Sequence, residues 1–141
     1  MLELFNQLER DEGEILHAYQ DNTPEKYWTI GFGRLIDIRR GGGITHEEAI
    51  LLLANDIRKH TDAVLRELPW ARNVSKPRLG ALINMHFQLG DRLFDFKLTL
   101  GHMAAGNWAA ASDEMLKSTW AKQTPLRAMR VAEQVRLNKW I

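Results

Sequence analysis

Apolar residues recur at helical spacing from the start of the chain. Leu2, Phe5 and Leu8 fall on one face with Leu4 alongside, and Gly13 follows as a C-cap candidate. The spacing predicts a short amphipathic helix over residues 2–12. The pattern then changes. Ile15, Tyr19, Tyr27, Trp28, Thr29, Ile30 and Phe32 are strand formers, and Asp21-Asn22-Thr23-Pro24 is a turn cluster. Together they predict a small antiparallel sheet. Gly31 and Gly33 there admit close approach of backbone or ligand. Gly41-Gly42-Gly43 predicts a flexible turn.

The clearest helix signal comes next. Thr45 with Glu48 three residues on is a capping box. Ile50, Leu53, Ala54, Ile57, Thr61, Val64, Leu65 and Leu68 follow on one face, and Pro69 ends the run. A helix over 45–68 spans about 36 Å, enough to bridge two lobes. Beyond it the pattern predicts short helices. Ser75 caps a segment through Leu89 that Gly90 stops, Asn107 caps 108–117, and Thr124-Pro125 opens a segment to about Leu137. The plan is α+β and mostly α, in one domain over 1–141. A sheet-bearing N-terminal lobe covers about 13–44 and an interlobe helix about 45–68. A helical C-terminal lobe covers about 69–141, with helix 2–12 packed on it.

Composition narrows the chemistry. The chain has 141 residues, 45 % of them hydrophobic, enough to build a packed core. No apolar run approaches the roughly 18 residues of a membrane span. The acidic start, with Glu3, Glu9, Asp11 and Glu12, is unlike a secretory signal, so the protein is expected to fold where it is made. With no cysteine, disulfides, thiol catalysis and zinc–thiolate sites are excluded. The net charge of +1 hides an asymmetry. Residues 1–60 hold 7 Lys/Arg against 11 Asp/Glu, and residues 61–141 hold 12 against 7. A basic second half suits an anionic partner, cell-wall polymer or nucleic acid, or is simply a solvated surface. Arg127, Arg130, Arg136 and Lys139 lie along the last predicted helix on the same terms.

Asp11-Glu12-Gly13, Tyr19-Gln20-Asp21 and Trp28-Thr29-Ile30-Gly31-Phe32-Gly33 form the informative stretch. Glycoside hydrolysis needs a protonated acid at the leaving oxygen and a carboxylate that activates water or stabilises the transition state. Glu12 falls at a helix end, where the dipole disfavours its ionised form. Asp21 falls in a polar turn, where it stays ionised. Carboxylates in unlike surroundings separate acid and base roles. On residue types alone, a solvated helix end and a turn aspartate are the commoner reading.

The ordered segments resemble the N-terminal signature of the phage lysozymes: an acidic residue then Glu-Gly, a Tyr-x-Asp, and Thr-Ile-Gly-x-Gly. Ile44-Thr45-His46-Glu47-Glu48-Ala49 is similar to the start of that family's interlobe helix. Residues 81–90, Ala-Leu-Ile-Asn-Met-His-Phe-Gln-Leu-Gly, resemble its central C-lobe helix. Residues 120–130, which hold Trp120, Gln123-Thr124-Pro125 and Arg127, resemble its late segment. The resemblance covers nearly the whole chain and implies a lysozyme-like fold.

It also implies roles. Glu12 matches the general acid, Asp21 the second catalytic carboxylate, and Thr29 the threonine that holds the attacking water. Leu35, Phe87, Gln88 and Thr99 match positions lining the sugar cleft. Arg127 matches the arginine that pairs with the catalytic glutamate. The implied reaction is hydrolysis between N-acetylmuramic acid and N-acetylglucosamine in bacterial peptidoglycan, with inversion, leading to host lysis. No metal or organic cofactor is implied, and no nucleic acid or membrane insertion. The expected state is a monomer, kept in the host cytoplasm until a separate holin-type pore releases it. The rival readings are a lytic transglycosylase and a non-enzymatic wall-binding module.

The sequence departs from the family pattern in four places. Seven residues separate Asp21 from Thr29, more than the pattern has, so Asn22–Trp28 should form a longer hairpin tip. Arg34 replaces a histidine, so an ion pair made there would persist above neutral pH. Ile36 to Gly43 is short, so a second hairpin and a short helix are expected to be missing. Glu114 replaces a sugar-contacting asparagine and carries no role over. The histidines at 17, 46, 60, 86 and 102 lack metal-ligand spacing and read as surface or packing residues. Trp108, Trp120 and Trp140 read as packing residues.

Overall fold

A computed structural model describes residues 2–36 and 42–141. The chain divides into two units, Met1–Leu51 and Leu52–Ile141. Its architecture is α+β and mostly α, with a three-stranded antiparallel sheet.

In the first unit α1 spans Leu2–Glu12, as the apolar spacing predicts. Gly13 ends it at φ +70, donating its N–H to the Glu9 carbonyl at 3.2 Å. β1 (Ile15–Gln20), β2 (Trp28–Gly31) and β3 (Arg34–Leu35) follow in the order β1-β2-β3. Tyr19 opposes Thr29 and Gln20 opposes Trp28, with an irregularity between Ile15 and Tyr19. Thr29 opposes Leu35 on the other side. The expected tip over 22–28 is corrected at its end, because Trp28 is in the ladder and 21–27 make the connection.

Arg34 donates to the Gly43 carbonyl at 3.1 Å and to the Glu48 carboxylate at 2.8 Å. This is the ion pair that an arginine at this position keeps above neutral pH. The expectations for Gly41-Gly42-Gly43 and for the short 36–43 segment rest on residues 37–41, which lie outside the described residues.

α2 spans His46–Glu67. The capping box is made as predicted. Glu48 N–H donates to Thr45 Oγ1 at 3.2 Å, and Thr45 N–H donates to Glu48 Oε2 at 2.7 Å. Each side chain thus satisfies a backbone donor that helix geometry leaves orphaned.

In the second unit the rest of α2 leads through a 3-10 turn, Pro69–Asn73, to α3 (Lys76–Leu89). Gly90 stops α3 at φ +58, donating to the His86 carbonyl. A second 3-10 turn, Gly90–Asp95, leads to α4 (Lys97–Ala104), α5 (Trp108–Lys117), α6 (Thr119–Gln123) and α7 (Pro125–Leu137). The core is built from stripes. α7 buries Ala128, Val131, Ala132 and Val135 at i, i+3, i+4 and i+7, and α3 buries Leu82 and Met85. Leu93, Met115 and Val64 are also fully buried. Burying a side chain of this size stabilises by about 1.5–3 kcal/mol.

Two predicted caps work differently from expectation. Ser75 makes no side-chain cap bond, and its hydroxyl meets Asn138 at the far end of α7 instead. Asn107 also makes no side-chain cap bond to α5. The local pattern gives no prediction of α4 or α6. Ser118 does cap α6, its Oγ accepting from Ala121 N–H at 3.1 Å. Trp120 is buried, while Arg78 lies 3.9 Å over the half-buried Trp108 ring. Trp140 is 64 % exposed and lies across Gly80, where any side chain would collide with it.

Candidate active site

Glu12 is the last residue of α1, and its exposed carboxylate lies against the turn between β2 and β3. A Cβ placed on Gly33 would fall 2.9 Å from Glu12 Oε2. Gly33 also has φ +75. The close approach expected at Gly33 is therefore made by a side chain of the protein itself. Gly31 has φ +67, and a Cβ there would meet nothing within 4 Å.

Asp21 opens the hairpin tip. Its amide donates to the Tyr27 carbonyl at 2.9 Å, extending the ladder one step, so Asp21 falls on the same sheet face as Tyr19 and Thr29. Its Oδ1 accepts three bonds: from Thr23 Oγ1 at 2.5 Å, Thr23 N–H at 3.1 Å and Tyr27 N–H at 3.1 Å. Oδ2 takes no bond among the described residues. The Thr23 hydroxyl above all, against the opposing effect of burial and with the help of the two amides and the Lys26 charge, holds this carboxyl below its usual range.

Thr29 is 5 % exposed, at the centre of the sheet. Tyr19 and Leu35 oppose it from either side, so three side chains share one face. Its hydroxyl lies 3.5 Å from the Tyr27 carbonyl, long for a hydrogen bond.

The first unit thus holds Glu12, Asp21, Thr29 and Leu35. Phe87, Gln88, Thr99 and Arg127 belong to the second. There Phe87 and Arg127 line one groove of about 380 Å³ with Leu53, Ile57, Ile83 and Asn84. Arg127 donates from Nε to Asn84 Oδ1 at 2.9 Å and from Nη2 to the Asn84 carbonyl at 3.1 Å. Gln88 accepts the Trp120 indole N–H at 2.8 Å. Thr99 is buried beside a second cavity of about 490 Å³, which Lys97, Glu114 and Trp120 also border. Of the basic residues along α7, Arg136 pairs with Asp113. Among the described residues no group of three or more His, Asp or Glu side chains is placed to hold a metal ion.

Four supporting residues escape a reading of the sequence for site chemistry. Thr23 has a legible signal, since Asp-x-Thr in a turn cluster favours a side-chain bond two residues on. Gly33 is flagged as a point of close approach, but nothing local names its partner. Asn84 and Trp120 carry no local signal. They sit 43 and 32 residues from Arg127 and Gln88, the residues they hold.

The family model for phage lysozyme matches residues 9–133, a span that holds Glu12, Asp21, Thr29, Leu35, Phe87, Gln88, Thr99 and Arg127. A probable T4-type lysozyme of Dictyostelium discoideum is 32 % identical, over 88 % of this chain and 88 % of that protein. An endolysin of Acyrthosiphon pisum secondary endosymbiont phage 1 is 30 % identical, over 84 % of this chain and 82 % of its own. An endolysin of Bacillus phage B103 is 30 % identical over 83 % of this chain, which spans only 43 % of that longer protein. Fold and similarity together define a lysozyme-type glycosidase. The chain belongs to the phage lysozyme family.

Proposed function

We propose that the protein hydrolyses the β-1,4 bond between N-acetylmuramic acid and N-acetylglucosamine in bacterial peptidoglycan. Glu12 protonates the leaving oxygen. Asp21 and Thr29 direct water to the sugar carbon from the opposite face, with inversion. Leu35, Phe87, Gln88 and Thr99 are the proposed sugar-binding residues, and Arg127 the cation that accompanies the acid.

The observation that carries this reading is the anchoring of Asp21. Three hydrogen bonds on Oδ1 favour its ionised form. They also fix its orientation and leave Oδ2 outside the network, where it can accept a proton from water. Cleavage of the wall then leads to host lysis, after release from the cytoplasm through a separate pore.

The test is mass spectrometry of products from purified peptidoglycan in heavy-oxygen water, for wild type and Glu12→Gln. Reducing muramic acid ends that carry the label, and vanish in the variant, are expected. Anhydro ends would make the protein a transglycosylase and leave Asp21 without a task. No product at all would make it a wall-binding module.

A further inference from the structure

His60 on α2 and His86 on α3 place their Nδ1 atoms 2.7 Å apart, with the rings edge to face. A contact this short between two imidazole nitrogens needs one bridging proton, because one ring must donate and the other accept. On its other side His86 Nε2 lies 3.5 Å from Asp91 Oδ1. That contact is long for a hydrogen bond, so either ring can supply the Nδ1–H that bridges the pair.

The surroundings make this contact sensitive to charge. His86 is 5 % exposed. The Phe87 ring lies 4.9 Å from His60, and the Phe94 ring 5.4 Å from His86. The charged groups facing the pair are Lys59 and Asp56 on α2 itself and Asp91 beyond α3. Asp91 is exposed, so water screens its charge. A first proton taken up by the pair still leaves a single proton between the two Nδ1 atoms, so the bridge stays intact. A second leaves both Nδ1 atoms protonated. Two N–H groups and two positive charges then oppose each other where one hydrogen bond had been.

We propose that the His60–His86 pair is a pH-operated latch between α2 and α3, closed by a single bridging proton and opened by double protonation, and that its opening shifts Phe87. The consequence for sugar binding rests on the glycosidase reading, whereas the latch itself does not. Burial, with the His86 and Lys59 charges, holds the His60 imidazole below its usual value, and Asp56 opposes them weakly. A base depressed in the folded state contributes stability in full above the ordinary histidine value of about 6.5, and loses it as pH falls.

The experiment is an imidazole nitrogen NMR titration of the full chain from neutral to mildly acidic pH, without substrate, with thermal unfolding over the same range. One imidazole of the pair should stay neutral below the ordinary histidine range. The Phe87 ring resonances and the unfolding midpoint should move with the second protonation. His60→Gln keeps a donor for His86 but cannot titrate, and should flatten both profiles. Independent titration of the two histidines near 6.5 would overturn the latch, as would Phe87 resonances that ignore the second protonation. If His60→Gln fails to fold, the wild-type titration decides alone. Failure of the glycosidase reading would appear as absent hydrolysis, with this titration unchanged.

Discussion

The Glu12 carboxylate rests on Gly33, so closely that a single methyl group on that residue would fall 2.9 Å from Oε2. A helix end and a strand turn are thereby coupled through one missing side chain. The proposed acid is positioned by what Gly33 lacks as much as by what α1 provides.

Gly33→Ala and Gly31→Ala separate this contact from backbone strain. Both glycines have positive φ, +75 and +67, so each alanine should cost about 1–2 kcal/mol in urea unfolding. Only Gly33→Ala displaces Glu12. It should lower kcat on peptidoglycan by about 100-fold, while Gly31→Ala stays within a few-fold of wild type. Equal activity losses in the two variants would show that the contact does not position the acid.

Asp21 owes its lowered pKa first to the Thr23 hydroxyl. Thr23→Ala should let it rise towards its ordinary value. The ionised form, which the proposed mechanism needs to direct water, is present above the pKa and lost as pH falls through it. The acid limb of the kcat/KM profile should therefore move to higher pH in Thr23→Ala. Asp21→Asn should lower the plateau by about 100-fold or more. An acid limb that stays in place would separate the Thr23 bond from catalysis.

The start of α2 carries two contacts through one carboxylate. Glu48 Oε2 accepts from the Thr45 amide and from Arg34. Thr45→Ala should cost about 1 kcal/mol, the usual value of an N-cap. Arg34→Gln should cost less than about 1 kcal/mol, because the pair is nearly half exposed on both sides. Glu48→Ala loses the Thr45 amide and Arg34 contacts together, keeps the bond from the residue 48 amide to the Thr45 hydroxyl, and should cost more than Arg34→Gln, measured by urea unfolding at low salt. With Arg34→His, the ion pair should fade as pH rises past about 6.5.

Much of the candidate site was legible because its residues lie within one short stretch. Glu12, Asp21 and Thr29 stand on a helix end, a turn and a strand, each with its own local signature. The support around them was not legible. Thr29 and Leu35 share a face only through the register of β2 and β3. Arg127 is held by Asn84, and Gln88 by Trp120, across distances in sequence that no spacing rule spans.

By itself, the sequence determined the elements whose ends are set by neighbouring residues. α1 stops at the one residue type that adopts φ +70 without strain, α2 starts at a reciprocal pair three residues apart, and α7 opens on a proline. These are contests between nearby groups and are settled locally. Tertiary structure decided the rest. It moved Trp28 from the tip into the ladder, turned the Ser75 hydroxyl from its own helix to Asn138, and ordered α4 and α6 without a periodic signal. It also set His60 against His86. Each of these outcomes depends on a partner outside the residue's own local segment, and that partner is known only once the chain has packed.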